Sequence, residues 1–143
     1  KIKINKFYYK NLSLKKELIK PTKIYVKEIL QLNQKNLLNA CVNITGGGIF
    51  DNLTRMIPEG MSAKIKLNQI KVLKIFKWLK KNNINENEML KTFNCGVGFC
   101  LIVNKNNVKK INNFFSKKYK PYEIGYIDTG PKKIKKYGKI NWT

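Results

Sequence analysis

Three consecutive glycines, Gly46, Gly47 and Gly48, follow Thr45 between a β-branched stretch and a helix-like segment. Such glycines cost a folded chain conformational entropy, so they are typical of places where φ is positive or where something approaches the backbone closely. A strand, a bare loop and a helix N-terminus direct backbone N–H groups toward an anion. The spacing matches neither a Walker loop nor a dinucleotide fingerprint. The residues therefore predict either an anion site or a structural tight turn.

A second glycine motif lies in the stretch TFNCGVG, residues 92–98. Gly96 and Gly98 occupy alternate positions of an apolar run that continues to residue 103, so as strand residues they would leave one face bare. Either a ligand or another backbone would then approach that face. Asn94, just before the glycines, has two interpretations: it binds a substrate amide or hydroxyl group, or it caps the preceding helix.

Groups able to transfer protons are scarce. The chain has no histidine and eight carboxylates, which excludes Ser/His and Cys/His triads. Its three cysteines lie in apolar runs without a C-x-x-C pair, which favours buried free thiols over a metal site or disulfides. Asp51 and Glu59 follow the glycine loop and are the first acids to test, although an Asp near a helix start is ordinary capping chemistry. The sequence predicts no metal site.

The net charge of +22 suggests a nucleic-acid partner, because clustered cations neutralise phosphates. However, Arg55 is the only arginine, and the lysines accompany many Asn, Ile, Tyr and Phe residues, which share A- and T-rich codons with Lys. A solvated surface shaped by base composition is the favoured interpretation. A basic module that binds RNA or DNA stays as an alternative.

The chain has the size and hydrophobic fraction, 43%, of one globular domain. Its apolar runs are shorter than the roughly 18 to 20 residues of a membrane span, and its N-terminus lacks the apolar core of a signal peptide. We therefore expect a soluble, cytoplasmic protein without a membrane partner. Because the chain begins with Lys1, we also expect it to be a piece of something longer.

The elements that must position these residues alternate between helix and strand. The alternation predicts one α+β unit of α/β-type order, with a mixed, largely antiparallel sheet covered by helices and the run 95–103 at its centre. Asn85 and Glu88 resemble a capping box. The patterns predict an extended lead-in at 20–26, helices at 27–40, 49–57, 69–81 and 108–115, and strands at 40–45, 62–67, 95–103, 122–128 and 133–142.

Five stretches occur in a characteristic order from about Leu18 to Ile127. They are ELIKPTKIYVKEIL, NITGGGIFDNLTRMIPEG, IFKWL, EMLKTFNCGVGFCLIV and EIGYI. In their residues, their order and their spacing, these stretches resemble the C-terminal domain of the phosphoribosylformylglycinamidine cyclo-ligase family, also called aminoimidazole ribonucleotide synthetases. Sister ATP-using enzymes, such as formylglycinamidine synthase and selenophosphate synthetase, share the domain plan and stay as an alternative.

The resemblance implies an enzyme of purine biosynthesis. Such an enzyme uses ATP to activate the formyl oxygen of formylglycinamidine ribonucleotide, and ring closure gives aminoimidazole ribonucleotide, ADP and phosphate. The family's N-terminal domain forms a homodimer and binds most of the ATP and Mg²⁺. The resemblance thus implies that residues 1–20 lead in from a missing ATP-binding domain and that residues 21–143 form the substrate-binding domain. The isolated chain is expected to be catalytically silent.

The resemblance also implies a set of binding residues at the cleft. The glycine loop would hold a phosphate of the substrate or nucleotide, the second glycine motif would line the cleft, and the PTKIY stretch would place a cation near the phosphorylated substrate. Asn43 stands where the family usually has histidine, so any proton transfer by that residue is lost or passed elsewhere. The implied residues are Thr45, Gly46, Gly47, Gly48, Asn94, Gly96, Gly98, Thr22 and Lys23.

Overall fold

The computed structural model describes residues 8–9, 12–115 and 119–143. The predicted entry segment, residues 1–20, lies partly outside these ranges, and its residues 14–18 form a short helix. The strands are β1 (Tyr8–Tyr9), β2 (Leu12–Ser13), β3 (Ala40–Asn43), β4 (Met61–Lys66), β5 (Phe99–Ile102), β6 (Gly125–Thr129) and β7 (Lys133–Tyr137). The helices are α1 (Leu14–Leu18), α2 (Val26–Gln34), α3 (Gly48–Met56), α4 (Lys74–Lys81), α5 (Glu86–Thr92) and α6 (Val108–Phe114).

The larger sheet has three strands in the order β6-β4-β7. The central strand β4 runs antiparallel to β6, with Met61 opposite Thr129, and parallel to β7, with Ser62 opposite Lys133. Two antiparallel pairs complete the described strands, β1 with β2 and β3 with β5. The prediction of an α+β fold with a mixed, largely antiparallel sheet is confirmed.

The prediction that residues 95–103 form the centre of a sheet is wrong. Strand β5 spans only Phe99–Ile102 and pairs with β3 alone among the described strands. Cys95 and Gly96 have φ values of 51° and 105°, so the chain turns there before the strand starts. The run is apolar because β5 packs into two hydrophobic clusters rather than because it is central.

One helix start and one capping hydrogen bond differ from the prediction. Helix α4 begins at Lys74 rather than near residue 69, because residues 67–69 form a 3₁₀ turn and Ile70 and Leu73 have extended backbone. The predicted cap of α5 is confirmed at Asn85, but its side chain accepts from the backbone N–H of Asn87 rather than from the residue at 88. Asparagine at an N-cap can bond either position.

Two clusters of buried side chains hold the elements together. The larger joins α3, β4 and the region before β5 through residues such as Leu53, Ile65 and Val97. The smaller joins α2 to α6 through Leu32 and Ile111, with Leu101 packed against it. Within the described ranges, each helix is too short or too polar to cross a lipid bilayer.

Candidate functional site

The glycine loop makes a left-handed turn that opens directly into α3. Gly47 and Gly48 have φ values of 90° and 63°, and the Gly48 N–H donates to the Thr45 carbonyl at 3.2 Å. Both φ values lie in the region where residues with a Cβ are strained. The loop is therefore a tight turn at a helix N-terminus, with Thr45 and Gly46 exposed to solvent.

Asn52 fixes the loop from inside the protein. Its side chain is 3% exposed, and its amide nitrogen donates to the carbonyls of Gly46 at 3.1 Å and Gly48 at 2.7 Å. With these carbonyls drawn toward α3, the N–H groups of Gly46 and Gly47 have no hydrogen-bond acceptor among the described residues. Two uncommitted backbone donors beside a helix N-terminus are suited to bind an anion.

The glycines of the loop differ in why they lack a side chain. A Cβ on Gly48 would lie 2.0 Å from the Leu90 carbonyl oxygen, so this glycine lets α3 approach the end of α5. A Cβ on Gly46 would have no atom within 4 Å, and its φ is not left-handed. Packing therefore explains why residue 48 is a glycine, but neither packing nor φ explains why residue 46 is one. A ligand that approaches the loop from solvent would require a residue without a side chain at position 46.

The two acids after the loop have different positions. A Cβ on Gly47 would lie 3.2 Å from a carboxylate oxygen of Asp51, so this acid flanks the loop in the first turn of α3. Its negative charge opposes an anion on the Gly47 side and leaves the Gly46 side as the better position. Glu59 instead lies 3.2 Å from Lys132 and is largely exposed.

The second glycine motif is a turn rather than a strand. The Val97 N–H donates to the Asn94 carbonyl at 2.9 Å, and the Asn94 side-chain oxygen accepts from the Gly96 N–H at 3.0 Å. Asn94 thus closes the turn that follows it. A Cβ on Gly96 would lie 2.8 Å from the Lys71 carbonyl oxygen. Of the two predicted interpretations, approach of a ligand or of another backbone segment, the second therefore applies to Gly96.

Gly98 lies under an aromatic ring. A Cβ there would lie 2.4 Å from the Tyr25 hydroxyl, and the Tyr25 ring centroid is 5.3 Å from that of Phe99. Burial, with a smaller effect of Tyr119, raises the pKa of Tyr25 above its ordinary value. Tyr25 was not among the predicted site residues. The sequence did offer one signal for Tyr25, because it lies two residues after the predicted site residue Lys23 in the PTKIY stretch.

Lys23, Gly96 and Gly98 line one cavity of about 700 Å³. The Lys23 side chain is exposed, and its ammonium lies 5.8 Å from the centre of the Tyr119 ring, which also lines the cavity. Thr22 is exposed and does not line this cavity, and neither does the glycine loop. The structure therefore groups three of the predicted residues and keeps the glycine loop as a separate element.

The acids and thiols of the described residues do not form a magnesium site. Across those residues, no three His, Cys, Asp or Glu side chains come together. Cys95 and Cys100 are buried, which raises the pKa of each thiol to about 12, whereas Cys41 is exposed. The expectation of three buried thiols is wrong for Cys41, because outward residues of β3 reach solvent.

Asn52 is the residue that sequence reasoning missed. It lies in the same buried stripe of α3 as Ile49 and Leu53, where a polar side chain must find a hydrogen-bond partner. That placement is visible from helical spacing alone. What it bonds to is not, because the partners are carbonyls of a loop whose geometry the sequence leaves open.

Known proteins resemble this chain along most of its length. The family described as AIR synthase related protein, C-terminal domain, matches residues 5–137. A phosphoribosylformylglycinamidine cyclo-ligase of Carboxydothermus hydrogenoformans is 44% identical over 124 residues, which are 85% of this chain and 36% of the relative. One of Clostridium perfringens is 43% identical over 116 residues, 80% of this chain and 35% of the relative.

A cyclo-ligase of Fusobacterium nucleatum is 39% identical over 127 residues, which cover 87% of this chain and 38% of the relative. The chain thus spans little more than a third of the length of the curated relatives it matches. The match includes both glycine motifs and every described helix and strand. The chain therefore belongs to the family of AIR synthase related proteins and represents its C-terminal domain.

Proposed function

We propose that this chain is the C-terminal part of an ATP-dependent cyclo-ligase that converts formylglycinamidine ribonucleotide to aminoimidazole ribonucleotide in purine biosynthesis. The observation that carries the proposal is the 44% identity to a cyclo-ligase over 85% of the chain. The glycine loop supports it, because its two uncommitted N–H donors suit a phosphorylated substrate or nucleotide.

In this proposal the chain positions phosphate and does not transfer protons. The N–H groups of Gly46 and Gly47 bind phosphate oxygens, and the exposed Thr45 hydroxyl adds a donor. Lys23, which is exposed at the edge of the neighbouring cavity, contributes positive charge toward the loop from outside that cavity, and we propose Asn94, Gly96 and Thr22 as further contacts of the cleft. Phosphoryl transfer depends on such positioning and charge neutralisation more than on a side-chain nucleophile.

The remaining parts of the reaction belong to the portion of the relatives that this chain does not span. ATP supplies the phosphoryl group, and Mg²⁺ neutralises its charge when bound there. The described acids offer no cluster for that ion, so no step is assigned to it on this chain. We also propose that the complete protein is a cytoplasmic homodimer formed through that other portion, with residues 1–20 as the connection.

A chimera tests the proposal. This chain replaces the matched third of the Clostridium perfringens cyclo-ligase, and the formation of aminoimidazole ribonucleotide from the formylglycinamidine substrate and ATP is followed by mass spectrometry. We expect product from the chimera and none from this chain alone. A folded chimera that binds ATP but forms no product would contradict the proposed function.

A loop variant tests the phosphate contact within the same chimera. Gly46→Ala adds a methyl group where no atom lies within 4 Å, so the fold is kept while the approach of a ligand is blocked. Losing one hydrogen bond to a charged group corresponds to a 10- to 100-fold weaker interaction, about 1.5–3 kcal/mol, so kcat/KM should fall by at least about tenfold. Lys81→Ala, on an exposed helix end, is the matched control.

A further inference from the structure

The cavity of about 700 Å³ runs between the edges of two strands. It is lined by every residue of β5 and by the first three residues of β6. Consecutive residues of a strand point to opposite faces, so a cavity that touches all of them lies along the backbone edge rather than over one face. We call this cavity the strand slot.

Strand β5 is hydrogen-bonded to β3 along one edge, and its other edge, which faces the slot, is open among the described strands. The Ile44 N–H donates to the Gly98 carbonyl at 2.9 Å, and this fixes which residues face β3. Because backbone groups alternate along an antiparallel strand, Phe99 and Leu101 turn their N–H and C=O groups toward the slot. Strand β5 has no second partner strand within the described residues.

The edge of β6 on the other side is open in the same way. The Lys66 N–H donates to the Ile124 carbonyl at 2.8 Å, and the Gly130 N–H donates to the Gly60 carbonyl at 2.9 Å. These two bonds show that the backbone N–H and C=O groups of the even-numbered residues of β6 point toward β4. Gly125 and Ile127 therefore turn their backbone groups toward the slot.

The lining of the slot includes members of both hydrophobic clusters. Leu53 and Ile65 belong to the larger cluster, and Ile111 belongs to the smaller, with Phe115 packed against it. A strand placed there would bond to both edges and bury apolar side chains against both clusters. It would also join the pair β3-β5 and the sheet β6-β4-β7 into one six-stranded sheet.

We propose that the strand slot receives one extended, predominantly apolar segment from the portion of a cyclo-ligase-type protein that lies outside the third matched by this chain. The proposal rests on the proposed function, because it takes the occupant from the same larger protein. The relatives supply the needed length, since the match covers only 36% of the Carboxydothermus hydrogenoformans protein. The segment completes the domain and attaches it to the rest of the enzyme.

Other occupants fit less well. An inserted strand needs both of its edges free, and every described strand of this chain already has a partner, which excludes a folded second copy. Residues 1–7 contain Lys1, Lys3 and Lys6, so in an extended strand they would set lysines against apolar walls on both faces. The slot is also lined by three exposed lysines, Lys23, Lys105 and Lys120, which would repel the lysines of residues 1–7 further.

Peptide binding to the full chain tests the proposal. The probes are overlapping peptides of about 15 residues, longer than a typical strand, that cover the unmatched two thirds of the Carboxydothermus hydrogenoformans relative. Binding is followed by fluorescence anisotropy, and amide hydrogen exchange is read at Leu101 and Ile127. We expect one apolar peptide to bind and to slow exchange at both amides by about tenfold or more.

Two variants separate backbone pairing from side-chain contact. Leu101→Pro removes an N–H that faces the slot while the bonds to β3 stay, whereas Leu101→Ala loses side-chain packing and keeps the N–H. Proline should abolish binding and alanine should only weaken it. If the proline variant does not fold, the bound peptide with alternate backbone N-methyl groups replaces it, and its binding should be lost.

Several outcomes would overturn the proposal. Peptide binding that survives Leu101→Pro or N-methylation of the peptide would show that backbone pairing is not involved. Slower amide exchange in only one of the two strands, or in neither strand with any of the peptides, would show that no segment bridges them. Slower exchange caused only by a peptide of residues 1–7, or only by self-association of the chain, would assign the slot to another occupant. The proposed function fails separately: an inactive chimera with a bound peptide contradicts only the function, and an active chimera without peptide protection contradicts only the slot.

Discussion

The side-chain nitrogen of Asn52 lies 2.7 Å from the Gly48 carbonyl and 3.1 Å from the Gly46 carbonyl, so one buried amide holds both ends of the glycine turn. The bond to Gly48 has the i to i−4 spacing of a helix side chain that bonds back to its own first turn. Because Asn52 is 3% exposed and Gly48 is buried, water does not replace the shorter of these bonds if it is lost.

Asn52→Leu should destabilise the protein. It keeps the volume of the side chain but removes both side-chain hydrogen bonds from a buried position, so the free energy of unfolding should fall by about 1–3 kcal/mol in urea titrations. Asn82 makes the same i−4 bond, to Trp78 at 2.8 Å, on an exposed surface, and Asn82→Leu should cost less than about 0.5 kcal/mol. Equal losses in the two variants would show that burial of the Asn52 bonds is not what matters.

Gly48→Ala and Gly46→Ala should differ sharply in stability. The left-handed φ of Gly48 alone costs an alanine about 1–2 kcal/mol, and its Cβ would also meet the Leu90 carbonyl at 2.0 Å. Gly46→Ala meets nothing within 4 Å and should change stability by less than about 0.5 kcal/mol. Thermal unfolding of both variants checks this, and a stable Gly48→Ala protein would contradict the described contact between α3 and α5.

The three thiols should differ in reactivity. Burial raises the pKa of Cys95 and Cys100 to about 12, so at about pH 8 almost none of either is thiolate, and both are shielded. With an aromatic disulfide reagent, one thiol should react in the native protein and three in denaturant. Cys41→Ser should remove the native reaction, and a remaining fast thiol would place Cys95 or Cys100 at the surface.

The ion pair between Lys64 and Asp128 should make stability depend on pH. The hydrogen bond from Lys64, and then that from the Thr129 N–H, holds the pKa of Asp128 below its ordinary value of 3.8. A lowered carboxyl pKa stabilises the fold above 3.8, and that contribution is lost as pH falls through the lower folded pKa. Wild type should therefore exceed Asp128→Asn in urea midpoint at about pH 6, and the difference should shrink as the pH falls below 3.8 and through the lower folded pKa.

Salt provides the control for this pair. Because the pair lies at the surface, about 1 M salt should reduce the difference at neutral pH. A double-mutant cycle with Lys64→Met isolates the interaction from other effects of each change. If Asp128→Asn shows the same loss at every pH, the contribution comes from packing or from the Thr129 bond rather than from the charge.

Local patterns were enough to predict most elements of the fold. Strands β3 and β4 and helices α3 and α6 fall within a residue or two of their predicted bounds, because each carries a clear period and a clear start or stop signal. The predictions failed where backbone conformation broke a continuous pattern. Residues 95–98 read as strand because they are apolar, yet positive φ at Cys95 and Gly96 makes them a turn.

The candidate site was predictable in part for the same reason. The sequence alone determined the glycine loop, the cap at Asn85 and the family resemblance, because these depend on residue types at short spacing. Tertiary structure decided which glycine serves packing, what Asn52 bonds to, and that β5 and β6 face each other across an open slot. Those outcomes depend on contacts between residues distant in the chain, and local spacing carries no information about such contacts.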